Sequence, residues 1–301
     1  MATIEYDPNL AANVIMAAIF GLVLLVQIGF GIRYKTWGFM VGMIGGNTLE
    51  VIGYIGRIQL SNNPFSNDAF LMYLVCLTIA PAFLSASIYL CLSRIVVAYG
   101  EGLSRFKPGT YTIMFICFDF IALLLQAAGG AIASIADSGS SMQDAGINLM
   151  IAGVSWQVAS LAGFIAMCLD FFLRVRKAAP EQLNPLFSNT RRSVQFRAFL
   201  CALGIATLFI FIRSVYRTAE LSQGFKGSLA NDEVTFMILE ATMIALAVIA
   251  LTVMHPGIAF RGQFADAGWT IKRKSTGMKL EKLDEENTEY VDRGHAPSRE
   301  A

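Results

Sequence analysis

Charge is what this sequence has least of. Only 15% of its 301 residues are charged, against about 25% in an ordinary soluble domain. Residues 272–301 hold seven Lys/Arg and seven Asp/Glu, which leaves 31 charged residues for the 271 positions before them. So few charges cannot cover the surface of a soluble protein of this size. The net charge of +1 favours neither nucleic acid nor an acidic partner. Histidine is almost missing: with only His255 and His295, a three-histidine zinc site within the chain is excluded. Neither a metal nor a cofactor is expected. The five cysteines, Cys76, Cys91, Cys117, Cys168 and Cys201, all fall in apolar stretches. They read as buried thiols, not as a disulfide framework. There is no Asn-x-Ser/Thr sequon, no G-x-x-x-x-G-K-[ST] phosphate loop and no obvious HExxH or G-x-S-x-G hydrolase motif. The chain therefore has no P-loop ATP site of its own, and it is not read as an enzyme.

What is present is apolar: 55% of residues are hydrophobic and the mean hydropathy is +0.56. A membrane-crossing helix needs roughly 20 mostly apolar residues. Seven such stretches occur, at 12–32, 37–57, 70–93, 111–133, 148–173, 198–219 and 234–254. The expected fold is all-α and polytopic, with seven transmembrane helices. The first stretch follows Glu5 and Asp7 and lacks a basic flank, so it reads as a true span, not a cleaved signal. Lysine and arginine placement gives orientation. The loops after odd-numbered spans, with the C-terminal tail, hold 19 of the 23 basic residues. The opposite side holds only Arg57 and Lys226. This predicts an outer N-terminus and a cytosolic C-terminus. The organisation is an extracellular segment 1–11, a seven-helix domain 12–257 and a cytosolic tail 258–301. From about residue 261 the tail is polar, charge-mixed and without periodicity, as a disordered segment would be. Its Lys272-Arg273-Lys274 cluster reads as solvated or as touching anionic lipid.

Ionisable groups within spans are costly and so nominate function, or a structural ion pair. Span two carries Asn47, Glu50, Tyr54 and Arg57 on an arc of about 80°. Gly42, Gly46, Gly53 and Gly56 lie beside them as a small-residue face for close helix contact. Span three contains Pro81, which frees a backbone carbonyl. Span four places Asp119 and Gln126 on one face; Asp119 is either a substrate carboxylate or a buried pairing partner. Span six ends in Arg213, Tyr216, Arg217 and Glu220, readable as an ion-pair cluster, as an anion site or as a lipid-phosphate contact. Span seven carries Glu240 deep in the membrane, with Glu233 as a capping charge near its outer end. His255 before Pro256-Gly257 reads as a helix stop. Asp170 lies one turn from Arg174 and reads as its local pair.

Several local strings resemble the fungal lipid-translocating exporter family, of the aminocholesterol-resistance and sphingoid-base-exporter type. They are Gly53-Tyr54-Ile55-Gly56-Arg57; Ala80-Pro81-Ala82-Phe83 running to Ser87-Ile88-Tyr89 and Arg94; and Asp119 with Gln126-Ala127-Ala128-Gly129-Gly130. The strongest is Ile212-Arg213-Ser214-Val215-Tyr216-Arg217-Thr218-Ala219-Glu220, followed by Gly224, Gly227, Glu233 and His255-Pro256-Gly257. The resemblance spans roughly residues 15–260. It departs from the pattern at Glu240, where aspartate is expected, and at Met237, where an aromatic is expected. The resemblance implies a multi-pass membrane protein that exports or flips amphipathic lipids and confers resistance to toxic ones; the plasma membrane is the expected location, with an endomembrane as the alternative. Its partners would be membrane lipids and an amphipathic lipid substrate. The head group would meet Glu50, Asp119 and Glu240, with Asn47, Tyr54 and Gln126 nearby and the tail along the glycine face of span two. Arg57, Arg213, Arg217 and Glu220 would form an outer gate or phosphate contact. The alternative is a seven-span lipid sensor signalling through the basic loop 174–197 and the tail.

Overall fold

The computed structural model describes residues 9–63, 66–136, 139–222 and 232–268. Glu5 and Asp7, the segment 223–231 with Gly224, Lys226 and Gly227, and the tail beyond 268 with Lys272-Arg273-Lys274 lie outside the described residues. Among the described residues all regular structure is helical: α1 (Leu10–Tyr34), α2 (Trp37–Asn62), α3 (Asn67–Tyr99), α4 (Pro108–Ile135), α5 (Ser141–Lys177), α6 (Ser188–Arg192), α7 (Val194–Ser222), α8 (Glu233–Phe236), a π-helical segment Met237–Thr242, α9 (Met243–Val253) and α10 (Pro256–Ala259), with three short 3₁₀ turns.

The helices start earlier than hydropathy alone indicates, because polar caps decide their ends. The Ser66 side chain accepts from the Ala69 amide, and that of Ser140 from the Gln143 amide. The cap of the last long segment is Asp232, not Glu233. Its carboxylate accepts from the amides of Val234 and Thr235 and from the Thr235 hydroxyl, and these bonds hold it below the usual carboxylate range. Glu233 instead accepts from the Asn9 amide at the start of α1.

Six segments are long and apolar enough to cross a membrane: Leu10–Tyr34, Asp68–Tyr99, Pro108–Ala133, Ser141–Lys177, Val194–Ser222 and Glu233–Ala259. α2 is as long but less apolar, since one of its faces carries polar side chains. Apolar residues also cover the outside of the bundle: Leu22, Leu25, Val41 and Phe120 are all at least 60% exposed. That surface suits hydrocarbon and not water, and the chain is a multi-pass membrane protein.

α2 packs most extensively on α3 and then on α1; α4 pairs with α5, and α7 with α9. Glycines set the α2–α3 spacing. A Cβ on Gly42 would lie 2.8 Å from the Phe83 carbonyl, and one on Gly56 3.0 Å from the Ala69 carbonyl. The glycine face expected to carry a lipid tail is therefore filled by α3, because small residues let a neighbouring backbone approach.

The expected tail boundary also moves. Residues 258–268 pack onto the bundle through Phe260 and Phe264, both fully or almost fully buried, with Phe260 set edge-on to Phe196 and Phe264. Two aromatics four residues apart outweigh the polar composition that suggested disorder. Asp170 does pair with Arg174 at 2.9 Å, and it also binds Arg105 at 2.9 Å.

Candidate functional site

The site grows from three irregularities in otherwise regular helices. The first is the polar arc of α2: Asn47, Glu50, Tyr54 and Arg57 are all buried. A helix facing lipid all round would not carry them, so the arc must face protein. The second is Pro81 in α3. Proline has no N–H, so the carbonyl of Leu77, four residues back, loses its helical donor. Arg213 of α7 supplies one, its Nη2 donating to the Leu77 carbonyl at 2.5 Å. The third is the π segment. The Thr242 hydroxyl donates to the Met237 carbonyl, five residues back, at 2.8 Å. Single π turns inside helices recur at functional positions. This one runs from Met237 to Thr242 and contains Glu240.

These irregularities meet in one buried cluster. Arg213 Nη2 also donates to Glu240 Oε1 at 2.9 Å. Arg217 Nη1 donates to Glu220 Oε2 at 2.8 Å and lies 3.6 Å from Glu240 Oε2. Arg217 Nη2 reaches the Thr78 hydroxyl at 3.4 Å, one turn before the Pro81 break. Arg57 Nε donates to Asn13 Oδ1 of α1 at 2.9 Å, and its guanidinium stands 3.9 Å from the Phe236 ring centre and 5.3 Å from that of Tyr73. Such stacking suits a buried guanidinium. Arg57, Arg213 and Arg217 are all buried with Glu50, Glu220 and Glu240. Positions that look peripheral along α7 are interior in three dimensions.

Within this cluster Glu50 differs from its neighbours. It is 2% exposed and accepts no hydrogen bond among the described residues. Arg213 and Glu240 are close enough to act on it electrostatically, but the hydrogen bonds of Arg213 go to Leu77 and Glu240. On the same arc, Asn47 uses its amide nitrogen on the Met43 carbonyl at 2.7 Å, leaving its Oδ1 without a partner. The Tyr54 hydroxyl also has none; its ring stacks on Phe20 at 5.6 Å. A carboxylate, an amide oxygen and a hydroxyl thus share one helix face over two turns, each with unused capacity to accept.

Asp119 and Gln126 stand elsewhere. Asp119 Oδ2 accepts from the Tyr89 hydroxyl at 3.0 Å, between α3 and α4. Gln126 faces Gln157 of α5 at 3.4 Å. Among the described residues neither shares a hydrogen-bond or ion-pair partner with the Glu50 cluster. His255 ends the long helix as the sequence indicates. It is buried among Phe30, Tyr34 and Phe39, and its Nδ1 accepts from the Gly257 amide at 3.1 Å. Sequence reasoning missed Asn13 and Thr78, polar residues in spans that looked apolar. It also missed Gln27, whose side chain donates to the Thr252 hydroxyl at 2.8 Å and ties α1 to α9.

A separate cleft of about 470 Å³, almost wholly apolar in its lining, opens between α3, α5 and α7. Ile88, Leu92, Phe164, Cys168, Leu203 and Thr207 contribute to it. Among the described residues no group of His, Cys, Asp and Glu is arranged to hold a metal.

Comparison with known proteins gives this geometry a context. The family model described as "RTA1 like protein" matches residues 43–263, which contain every cluster residue except Asn13. The sphingoid long-chain base transporter RSB1 of Saccharomyces cerevisiae (strain Lalvin EC1118 / Prise de mousse) is 34% identical over 282 residues, covering 85% of this chain and 74% of that protein. Two further Saccharomyces cerevisiae proteins (strain ATCC 204508 / S288c) are similar. Protoporphyrin uptake protein 1 is 30% identical over 69% of this chain and 65% of its own length. Protein RTA1 is 28% identical over 73% and 66%. No solved structure matches the chain. A family match across most of the sequence, with a third of residues identical to a relative over most of both chains, is decisive: the chain belongs to the RTA1-like protein family.

Proposed function

We propose that this protein translocates amphipathic lipids bearing an amine, of the sphingoid long-chain-base class, outward across the plasma membrane, and so confers resistance to toxic lipids. The observation that carries this reading is the acceptor set Asn47 Oδ1, Glu50 and Tyr54 Oη. An alkylammonium offers three N–H donors and no acceptor, the complement of that set. Glu240 and Glu220 have arginine partners, whereas Glu50 accepts from no side chain among the described residues, so a substrate ammonium completes it. The name of the relative RSB1 supports a long-chain base as the ligand.

α2 has 26 residues, enough to cross a membrane, and packs on both α1 and α3, which supports a seven-span topology over residues 12–257. The distribution of basic residues supports an outer N-terminus and a cytosolic C-terminus. Thr207, in the apolar cleft, lies six residues from Arg213, about 9 Å along α7, a reach that suits a tail beside a head group at Glu50. Arg57, Arg213, Arg217 and Glu220 then act as the gate, with Glu240 as their counter-ion. Asp119 and Gln126 act as pairing residues between α3, α4 and α5, with Tyr89 and Gln157 as their partners. Without a P-loop, the driving force comes from a gradient, a partner or downhill movement, and the lipid leaves chemically unchanged.

The test is efflux of a labelled sphingoid base from cells expressing Glu50→Gln, matched for surface abundance. A hydrogen bond to a charged group is worth about 1.5–3 kcal/mol, so efflux at low substrate should fall about ten- to a hundredfold. Unchanged efflux would remove Glu50 from the mechanism.

A further inference from the structure

At the end of the bundle that carries the basic loops, an open recess of about 420 Å³ lies between the end of α1, the α1–α2 link and the turn after α10. Its rim holds Arg33, Lys35 and Arg261, and no acidic side chain lines it. All three are exposed, and none makes an ion pair among the described residues. Three cations from two chain segments therefore converge without a counter-charge among the described residues.

The backbone makes that convergence specific. Lys35 and Arg261 have φ of 54° and 51° and are the only non-glycine residues with positive φ among the described residues. Chain turns in this conformation ordinarily use glycine, which has no Cβ to crowd. The fold instead keeps a cation at each, and a strained backbone retained at a recess points to a function. Gly257 brings the two sides together: a Cβ there would lie 2.3 Å from the Tyr34 Cβ, so only glycine lets α10 close on the end of α1. The turn that follows Arg261 is tied to the bundle: the Thr190 hydroxyl donates to the Gln263 side chain at 2.7 Å, and Arg94 donates to the Phe264 carbonyl. Trp37, 56% exposed at the start of α2, suits the level of the membrane–water boundary.

We propose that this recess binds the phosphate of an anionic lipid head group at the membrane surface. Arginine forks match phosphate oxygens in pairs, and lysine adds a point charge. Basic pockets between membrane helices on the cytosolic side suit such head groups. The proposal does not depend on the translocation reading, and its readout is binding, not efflux.

The experiment uses the full chain in nanodiscs of phosphatidylcholine with or without phosphatidic acid, and in detergent with or without inorganic phosphate. Lipid retained is read by native mass spectrometry and fold by the thermal midpoint. Lys35→Gly and Arg261→Gly each delete a cation while relieving a positive-φ position, so both should fold with an unchanged or raised midpoint. Each should weaken phosphatidic acid retention about fivefold, and the pair about twenty-five-fold. Lys107→Ala, an exposed cation at the same end but outside the recess, should leave it unchanged. Protection by inorganic phosphate that the double variant loses, with no preference for phosphatidic acid, would overturn the lipid assignment and give the site to a soluble anion. Equal retention by the parent and the double variant, or equal loss in Lys107→Ala, would overturn the proposal.

Discussion

Arg213 holds two structural obligations at once, and a substitution can separate them. In Arg213→Met the side chain keeps most of its length but loses its donors. The Leu77 carbonyl then has no partner, since Pro81 cannot supply one, and Glu240 keeps only Arg217 at 3.6 Å. Stranding one member of a buried ion pair costs about 3–5 kcal/mol in a water-soluble protein. Polar contacts between membrane helices average nearer 0.6 kcal/mol and reach about 1.7, because separated helices find other partners in the bilayer. Arg213 makes two such contacts, so a loss of about 2–3 kcal/mol is expected. Pro81→Ala alone should be close to neutral: a carbonyl has two lone pairs and can accept from the backbone amide gained at position 81 and from Arg213 together. In the Arg213→Met background the same change restores a helical donor to Leu77 and should recover about 1 kcal/mol. Glu240→Gln in that background removes the stranded charge and should recover more. The assay is reversible unfolding in bicelles, with free energies for all single and double variants. Additivity of Arg213→Met and Pro81→Ala within about 0.5 kcal/mol would refute the idea that Arg213 replaces the donor that proline removes.

Two further outcomes follow from the packing. A Cβ on Gly129 would lie 2.6 Å from both the Gly146 carbonyl and the Met150 amide, whereas one on Gly130 meets only the Met150 sulfur at 3.8 Å. Gly129→Ala should therefore lower stability by about 1–3 kcal/mol, while Gly130→Ala should be neutral or stabilising by up to about 1 kcal/mol; equal shifts in thermal midpoint would contradict the α4–α5 contact. Asp119→Asn keeps an acceptor for the Tyr89 hydroxyl and should retain efflux, whereas Tyr89→Phe leaves the carboxylate bare and should cost about 1–3 kcal/mol of stability. Loss of efflux in Asp119→Asn at matched abundance would move Asp119 from a pairing role into the substrate path.

The parts of this structure that one helix face determines are legible in the sequence, and the parts that two helices determine are not. Hydropathy locates the long helices, and helical periodicity alone places Asn47, Glu50, Tyr54 and Arg57 on one buried arc. Pro81 announces a freed carbonyl, but its donor lies 136 residues away, a separation that no local rule bridges. The pairing of Arg213 with Glu240 spans only 27 residues, yet it too is hidden. A regular 3.6-residue period fails where the chain adopts a π turn, and that turn resets which side of the helix Glu240 occupies. The consequence reaches the function. Counted along the sequence, Glu50, Asp119 and Glu240 are equivalent intramembrane acids. In the fold, Glu240 has two arginine neighbours and Asp119 a tyrosine donor, while Glu50, although within electrostatic reach of Arg213, accepts no hydrogen bond among the described residues. A buried carboxylate without a hydrogen-bond donor is costly, which is why the proposed cationic head group is placed at Glu50 and not at the acids as a group.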